Sequence, residues 1–384
     1  MKTKTIQKNN WQIKKLGKVC KLIKGKKPSK FVSKSSKPYL TAKVVRGTEI
    51  PEYASENCSS SVWVKKEDII IIMDGSNSGE MFTGLKGALA STMGIVEYQE
   101  DLLNSKYLLH FLTTHRENFT RSRTGSAIPH LNKDEFENLE IPLPPLPEQK
   151  RIVKILDDTF EKIEKAKEIT EKNLKNDKEL FESYLQSVFE NKGKDWEEKE
   201  LGELGKASMC KRIFKDQTST SGDIPFYKIG TFGKKPNAFI SKELYNKYRN
   251  KYSSPKKGDV LISASGTIGR RVSYDGKPAY FQDSNIVWID NNEKIVLNEY
   301  LYCFYGYCNW KPSKGATISR LYNSNLRQIK ISFPKSLTTQ KQIVVKLDKL
   351  SKHTKMMEGF HKKNLENLEE LKKSLLKKAF NGEL

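Results

Sequence analysis

Gln149-Lys-Arg-Ile-Val-Lys-Ile-Leu-Asp157 and Gln340-Lys-Gln-Ile-Val-Val-Lys-Leu-Asp348 are near copies of one another, and the matches on either side of them extend to a duplication with a shift near 190. Downstream, Leu180 through Phe189 matches Leu371 through Phe380. Upstream, Trp11-Gln-Ile-Lys-Lys-Leu-Gly-Lys18 answers Trp196-Glu-Glu-Lys-Glu-Leu-Gly-Glu203, and Lys65-Lys-Glu-Asp-Ile-Ile70 answers Lys256-Lys-Gly-Asp-Val-Leu261. Gly75-Ser-Asn-Ser78 falls on Gly266-Thr-Ile-Gly269, and Gly125-Ser-Ala-Ile-Pro-His-Leu131 on Gly315-Ala-Thr-Ile-Ser-Arg-Leu321. Solenoid repeats run to roughly 20–50 residues, so each of these much longer copies must fold around its own core. A chain of 384 residues is long enough for two such cores.

Within each copy the first 145 residues or so carry short β-branched runs broken by Gly, Pro, Ser and Asn, the pattern of strands and turns. Val62-Trp-Val64, Asp68 to Met73, Gly94 to Tyr98, Asp259 to Ser263 and Ser284 to Asp290 are such runs. Lys106–Thr114 and Glu299–Tyr305 read as short helices, which makes each domain α+β.

Each copy then turns strongly helical for about forty residues, on the order of 60 Å at the helical rise. Pro142, Pro144, Pro145 and Pro147 form a stiff entry to the first of these helices. Ile152, Leu156, Ile163, Ala166, Leu174, Phe181, Tyr184 and Val188 line one face of it, with Thr159, Thr170 and Asp177 as weak points. The second helix repeats the stripe at Ile343, Leu347, Leu350, Met357, Leu365, Leu368, Leu375 and Ala379, interrupted by Thr354, His361 and Lys372. Two such stripes are expected to pair as an antiparallel coiled coil that spaces the two domains. Phe160, Phe189, Phe360 and Phe380 lie off the seam, with core packing their expected use. The expected divisions are a first domain at 1–146, a central helix at 147–192, a second domain at 193–337 and a closing helix at 338–384.

Charge points to a polyanion. The chain holds 69 Lys and Arg against 46 Asp and Glu, a net charge of +23. Residues 1–48 carry fifteen basic side chains and no acidic one. No apolar run approaches the roughly 20 residues of a membrane span, and the basic amino terminus lacks a signal core, so a cytoplasmic location is expected. The five cysteines are scattered and odd in number, which suggests reduced, packed thiols rather than disulfides or a zinc site.

Catalytic signatures are missing. Gly79-Glu-Met-Phe-Thr-Gly-Leu-Lys86 approaches a phosphate loop, but Leu85 occupies the lysine position. No H-E-x-x-H, no Asn-Pro-Pro-Tyr or Asp-Pro-Pro-Tyr and no glycine fingerprint after a strand occurs. His110, His115, His130, His353 and His361 belong to no recognisable catalytic constellation, so no catalytic or metal-binding residue is nominated.

The duplication, the Leu143-Pro-Pro-Leu-Pro-Glu-Gln-Lys-Arg-Ile-Val153 entry, Gly125 to Leu131, Asp259-Val-Leu-Ile-Ser-Ala-Ser-Gly-Thr-Ile-Gly269 and the closing Leu375-Leu-Lys-Lys-Ala-Phe-Asn-Gly-Glu-Leu384 together resemble the specificity subunits of type I restriction-modification systems. The resemblance covers nearly the whole chain. It implies a non-catalytic subunit with two target-recognition domains, each reading half of a bipartite double-stranded DNA site. It also implies partners: two modification subunits that bind S-adenosylmethionine and methylate adenine, and restriction subunits that use ATP and magnesium. No cofactor is expected in this chain itself. The second copy departs from the first in having Arg320 where the first has His130, and Lys335-Ser-Leu-Thr-Thr339 in place of the prolines, which permits unequal half-sites.

Candidate DNA contacts follow from residue type, because phosphate contacts set register while base edges are read by Arg, Lys, Asn, Gln, Ser or Thr. Lys24, Lys26, Lys27, Ser29 and Lys30, with Lys211, Arg212 and Lys215 as their counterpart, suit phosphates. Ser76, Asn77, Ser265, Thr267, Arg270 and Arg271 lie on small-residue loops that suit bases. Arg121, Arg123, His130, Lys314, Arg320 and Asn323 precede the helices and either face DNA or pin each domain to its helix. A two-fold arrangement would place half-sites about one DNA turn apart, roughly 34–36 Å. The alternatives are a duplicated nuclease with unrecognised acidic ligands, and an RNA-binding or architectural protein.

Overall fold

Four consecutive isoleucines, Ile69–Ile72, form the central strand of the first domain, and all four are buried. Strand side chains alternate faces, so Ile69 and Ile71 pack with Tyr107, Leu108, Phe111 and Leu112 on one side. Ile70 and Ile72 pack with Leu40, Val64, Leu89 and Met93 on the other. Each buried isoleucine contributes about 2 kcal/mol of transfer free energy. In this computed structural model the described residues are 11–33, 37–55, 58, 61–123, 129–310 and 320–384.

The strand sits in an antiparallel four-stranded sheet, ordered Cys20–Lys24, Met93–Tyr98, Ile69–Ile72, Met81–Phe82. A mixed three-stranded sheet of Tyr39–Leu40, Gly87–Leu89 and Trp63–Val64 covers one face. The helix Ser105–Thr114 covers the other, capped by Asn104, whose side chain accepts from the Tyr107 amide. Gln12–Lys15 pairs with Glu140–Leu143, so the segment entering the domain is tied to the segment leaving it.

The second domain repeats the plan. Its four-stranded sheet runs Gly205–Ser208, Ile286–Asn291, Val260–Ser263, Arg271–Ser273, and Trp196–Glu200 pairs with Lys330–Pro334. Val260 and Ile262 face Tyr300, Leu301 and Phe304 of the helix Asn298–Tyr307. Leu261 faces the opposite cluster, with Phe226, Tyr280 and Trp288. The architecture is α+β and duplicated, with a long helix after each domain: Leu146–Glu190 and Leu337–Phe380.

The chain divides into two compact units, Met1–Thr170 with Lys363–Leu384, and Glu171–Lys362. Each unit holds one domain and a pair of helix segments, one from each long helix. In the first unit the segments pair antiparallel, with Lys372 Nζ 3.0 Å from Glu164 and Lys167 bonded to Glu369. The end of the second long helix closes the first domain's core: Phe380 lies edge-on to Tyr107 at 5.1 Å and to Phe111 at 5.2 Å. In the second unit Phe189, from the end of the first long helix, packs on Tyr300 at 5.5 Å and Phe304 at 5.6 Å.

The seam differs from its sequence reading at the expected weak points. Thr354 and His361 are among its most buried residues, at 7% and 6% exposure. His361 Nε2 lies 3.1 Å from Asp177 Oδ2, so two apparent interruptions satisfy each other. Lys372 is half-buried because its stem covers the Phe160 ring, 5.0 Å from the ammonium, while its charge meets Glu164. Phe360 is 56% exposed, unlike the packed Phe189 and Phe380. The five cysteines are unbridged, and burial pushes the Cys20 thiol up to about 12.

Candidate nucleic-acid interface

Each central strand ends in a loop that bridges to the segment leading into a short helix. In the first domain Asp74 forms an isolated β-bridge with His130, and in the second Ser265 forms the equivalent bridge with Arg320. The loop after Asp74 turns through Gly75 and Gly79, with φ of 105° and 90°, conformations that favour glycine.

Asp74 organises the first loop. One carboxylate oxygen accepts from Lys24 Nζ at 2.8 Å, and the other lies 2.8 Å from His130 Nδ1. Burial pushes the Asp74 carboxyl up, but hydrogen bonds and charge from Lys24 and His130 outweigh it and hold the group below its ordinary value. Lys24 ends a strand rather than lying in the loop, and its charge is committed to Asp74. Lys26, Lys27 and Lys30 follow it and are exposed. Ser29 is exposed overall, while its amide donates to Cys58 Sγ at 3.3 Å.

Ser76 is exposed, and Asn77 accepts from Arg46 at 3.1 Å. Arg46 and Arg116 both grip Glu80, at 2.8 and 3.0 Å, bracing the far end of the loop. Arg123 donates to the Ser78 carbonyl at 3.2 Å and pins the same loop to its helix. Arg121 stands apart, pairing with Glu117, which also holds Lys373 at 2.8 Å. Arg46, Arg116 and Glu80 escaped the sequence reading because no spacing marks them as partners. Asp74, two residues after the isoleucine run, carried the one visible signal.

In the second domain Ser265 donates to Asn285 Oδ1 at 2.8 Å, and Arg320 donates to Ser284 Oγ at 2.7 Å and to the Ser284 carbonyl at 3.3 Å. Ser284 has a φ of 51°, a left-handed conformation rare for a residue with a side chain. Arg320 and Asn323 line an open cavity of about 440 Å³ with Met209, Ser284, Leu321, Tyr322 and Ser324. Met209 and Tyr322, both exposed at its rim, were not singled out by the sequence.

The remaining candidates scatter. Thr267 is exposed, whereas Arg270 donates to the Phe232 carbonyl at 3.1 Å. Arg271 belongs to a strand rather than a small-residue loop, and its guanidinium lies over Tyr302 at 4.6 Å. Lys211 sits over Tyr252 at 5.3 Å, Arg212 pairs with Asp283 at 2.8 Å, and Lys215 is exposed in a short turn. Lys314 lies outside the described residues, as do Gly125 to Ile128 and Gly315 to Ser319 of the matching blocks.

Two copies of one α+β domain, each presenting a glycine-turned loop bridged to the segment before a short helix and each followed by a long pairing helix, make up the chain. The family described as type I restriction modification DNA specificity domain matches residues 8–173 and 193–367, and the chain belongs to that family. A Haemophilus influenzae protein assigned as a type I restriction enzyme specificity subunit is 44% identical over 330 residues, covering 83% of this chain and 84% of its own. The type I restriction enzyme MjaVIII specificity subunit of Methanocaldococcus jannaschii is 33% identical over 282 residues, covering 67% and 64%. The fold is shared with a chain from a solved structure addressing complex assembly and conformational transition of the type I R-M system, at TM-score 0.76 and 19% identity, covering 97% and 98%. It is shared also with the HsdS subunit of Thermoanaerobacter tengcongensis, at TM-score 0.62 and 19% identity, covering 98% of each chain. The protein is a DNA-specificity subunit of a type I restriction-modification system.

Proposed function

We propose that the chain is a non-catalytic recognition subunit that reads a bipartite double-stranded DNA site, one half with each domain. It docks two modification subunits, and restriction subunits join in the full complex. S-adenosylmethionine, ATP and magnesium belong on those partners, and the complex works in the cytoplasm. Among the described residues no helix is long and apolar enough to cross a membrane.

The observation that carries the reading is the repeated loop-to-segment bridge, Asp74 with His130 and Ser265 with Arg320, on two equivalent sheets. The same scaffold is thus furnished with different side chains, as two unequal half-sites require. The domain limits 1–146 and 193–337, with helices at 147–192 and 338–384, are the units to exchange. Co-expression with the neighbouring modification subunit, followed by mapping of adenine methylation on a plasmid, tests it. A bipartite methylated motif of which one half changes when residues 1–145 are swapped is expected. No stable complex and no motif would leave a stand-alone nucleic-acid binder. Cleavage of DNA by the purified chain with magnesium would make it a nuclease.

A further inference from the structure

The bridge position is built into both domains, yet it carries chemically different residues, and in each the side chain is held by neighbours. Arg320 uses one amino group, Nη2, for Ser284 Oγ, the Ser284 carbonyl and Asn285 Oδ1 at 3.5 Å. Ser265 anchors Asn285 from the other side. The guanidinium has further N–H donors in a rigid plane beyond the amino group engaged there. It lines the open cavity beside Asn323 and Tyr322, with Met209 two residues ahead of Lys211. In the first domain His130 is half exposed, with Nδ1 against Asp74 Oδ1. That contact leaves Nε2 on the side of the ring away from the carboxylate.

Resting on the reading of a bipartite DNA site, we propose that Arg320 is the base-discriminating residue of the second domain, reading a guanine edge, and that His130 holds the equivalent post in the first. Three observations separate this role from simple pinning of a domain. The residue that holds Arg320, Ser284, sits at a φ of 51°, a strained conformation of the kind that clusters at ligand-binding sites. The position carries different hydrogen-bonding chemistry in the two copies of one scaffold, histidine in the first and arginine in the second, as unequal half-sites require. The side chain also lines an open cavity rather than filling a core. Guanine is the base whose major-groove edge offers two acceptors, N7 and O6, to the donors of a fixed guanidinium.

The test is methylation mapping of the complex carrying Arg320→Ala or His130→Ala, with binding measured on duplexes mutated base by base. Arg320→Ala is expected to relax one guanine position in the second half of the motif, leave the first half intact, and lower discrimination there by about tenfold to a hundredfold. His130→Ala is expected to relax one position in the first half only. The salt dependence of binding stays nearly unchanged in both, because no phosphate contact is lost. Ser284→Ala, which keeps the arginine and removes its 2.7 Å support, is expected to relax the same position by a smaller factor. If Arg320→Ala does not fold, Arg320→Gln is read in its place. An unchanged motif with uniformly weaker, less salt-dependent binding overturns the proposal and makes Arg320 a phosphate contact. A wild-type complex that methylates no bipartite motif overturns instead the functional reading on which the proposal rests.

Discussion

Gln149 and Gln340 are fully buried, and each ties three separate segments together. Gln149 Oε1 accepts from the Asn104 amide at 2.8 Å, while Nε2 donates to the carbonyls of Leu102 at 2.8 Å and Pro144 at 2.9 Å. Gln340 repeats this with the Leu297 amide at 2.9 Å and the carbonyls of Ile295 and Pro334, each at 2.8 Å. The side chain thus joins the loop before the domain's main helix to the first turn of the long helix. Gln149→Leu removes all three bonds and leaves a buried N–H and two carbonyls short of partners. At about 1–3 kcal/mol for each buried group left unsatisfied, offset by the added apolar burial, the loss is on the order of 3–5 kcal/mol. For a folding unit of this size that corresponds to a fall in Tm of roughly 6–20 °C. Scanning calorimetry measures the shift, and hydrogen exchange at the Asn104 amide assigns it to the first unit. Gln340→Leu is expected to act equally on the second unit through Leu297. A fall below about 2 °C, or unaltered exchange at Asn104, would refute the argument that these glutamines hold domain to helix.

Asp177→Ala is expected to destabilise the second unit by about 1–3 kcal/mol, because His361 loses its partner, whereas Leu at both positions is expected to be neutral or stabilising; a double-mutant cycle in urea checks the sign. Burial lowers the pKa of both His110 and His115 below the ordinary 6.5, with Asp157 opposing the shift at His110 and Glu135 at His115. Unfolding therefore takes up protons at these sites, and stability falls as pH drops through 6.5 toward the lowered folded values. Tm measured from pH 7.5 to 5.5 should show a shallower acid slope in His110→Gln/His115→Gln; an identical slope contradicts the assignment. Replacing Lys26, Lys27 and Lys30 with Ala is expected to weaken DNA binding evenly across sequences and reduce the salt slope by up to about three, read by titration at several salt concentrations.

Much of the fold was legible because it rests on local patterns. The isoleucine run, the short helices and the seams at spacings of three and four are set by periodicity along the chain. The structure places helices at Ser105–Thr114 and Asn298–Tyr307, close to the expected 106–114 and 299–305. The candidate interface was legible only as a composition. Lys24, Arg123 and Arg212 all looked free to meet DNA, yet each is engaged by Asp74, Ser78 or Asp283. A basic residue's partner is chosen in space, tens of positions away along the chain, and no spacing rule reports it.

The order of residues alone establishes that the chain is a duplication, that each copy is an α+β domain followed by a long amphipathic helix, and that the whole is strongly basic. These are properties of order and period, which survive without knowledge of the chain's path. Folding in three dimensions was needed to choose which helix end completes which core: Phe380 and Ala379, from the second copy, fill the first domain, and Phe189, from the first copy, fills the second. It also decided that His361 and Asp177, apparent flaws in two separate stripes, are paired with one another. Both outcomes depend on surfaces that become neighbours only when two distant helices run antiparallel, and burial then assigns each side chain a partner that its sequence position does not name.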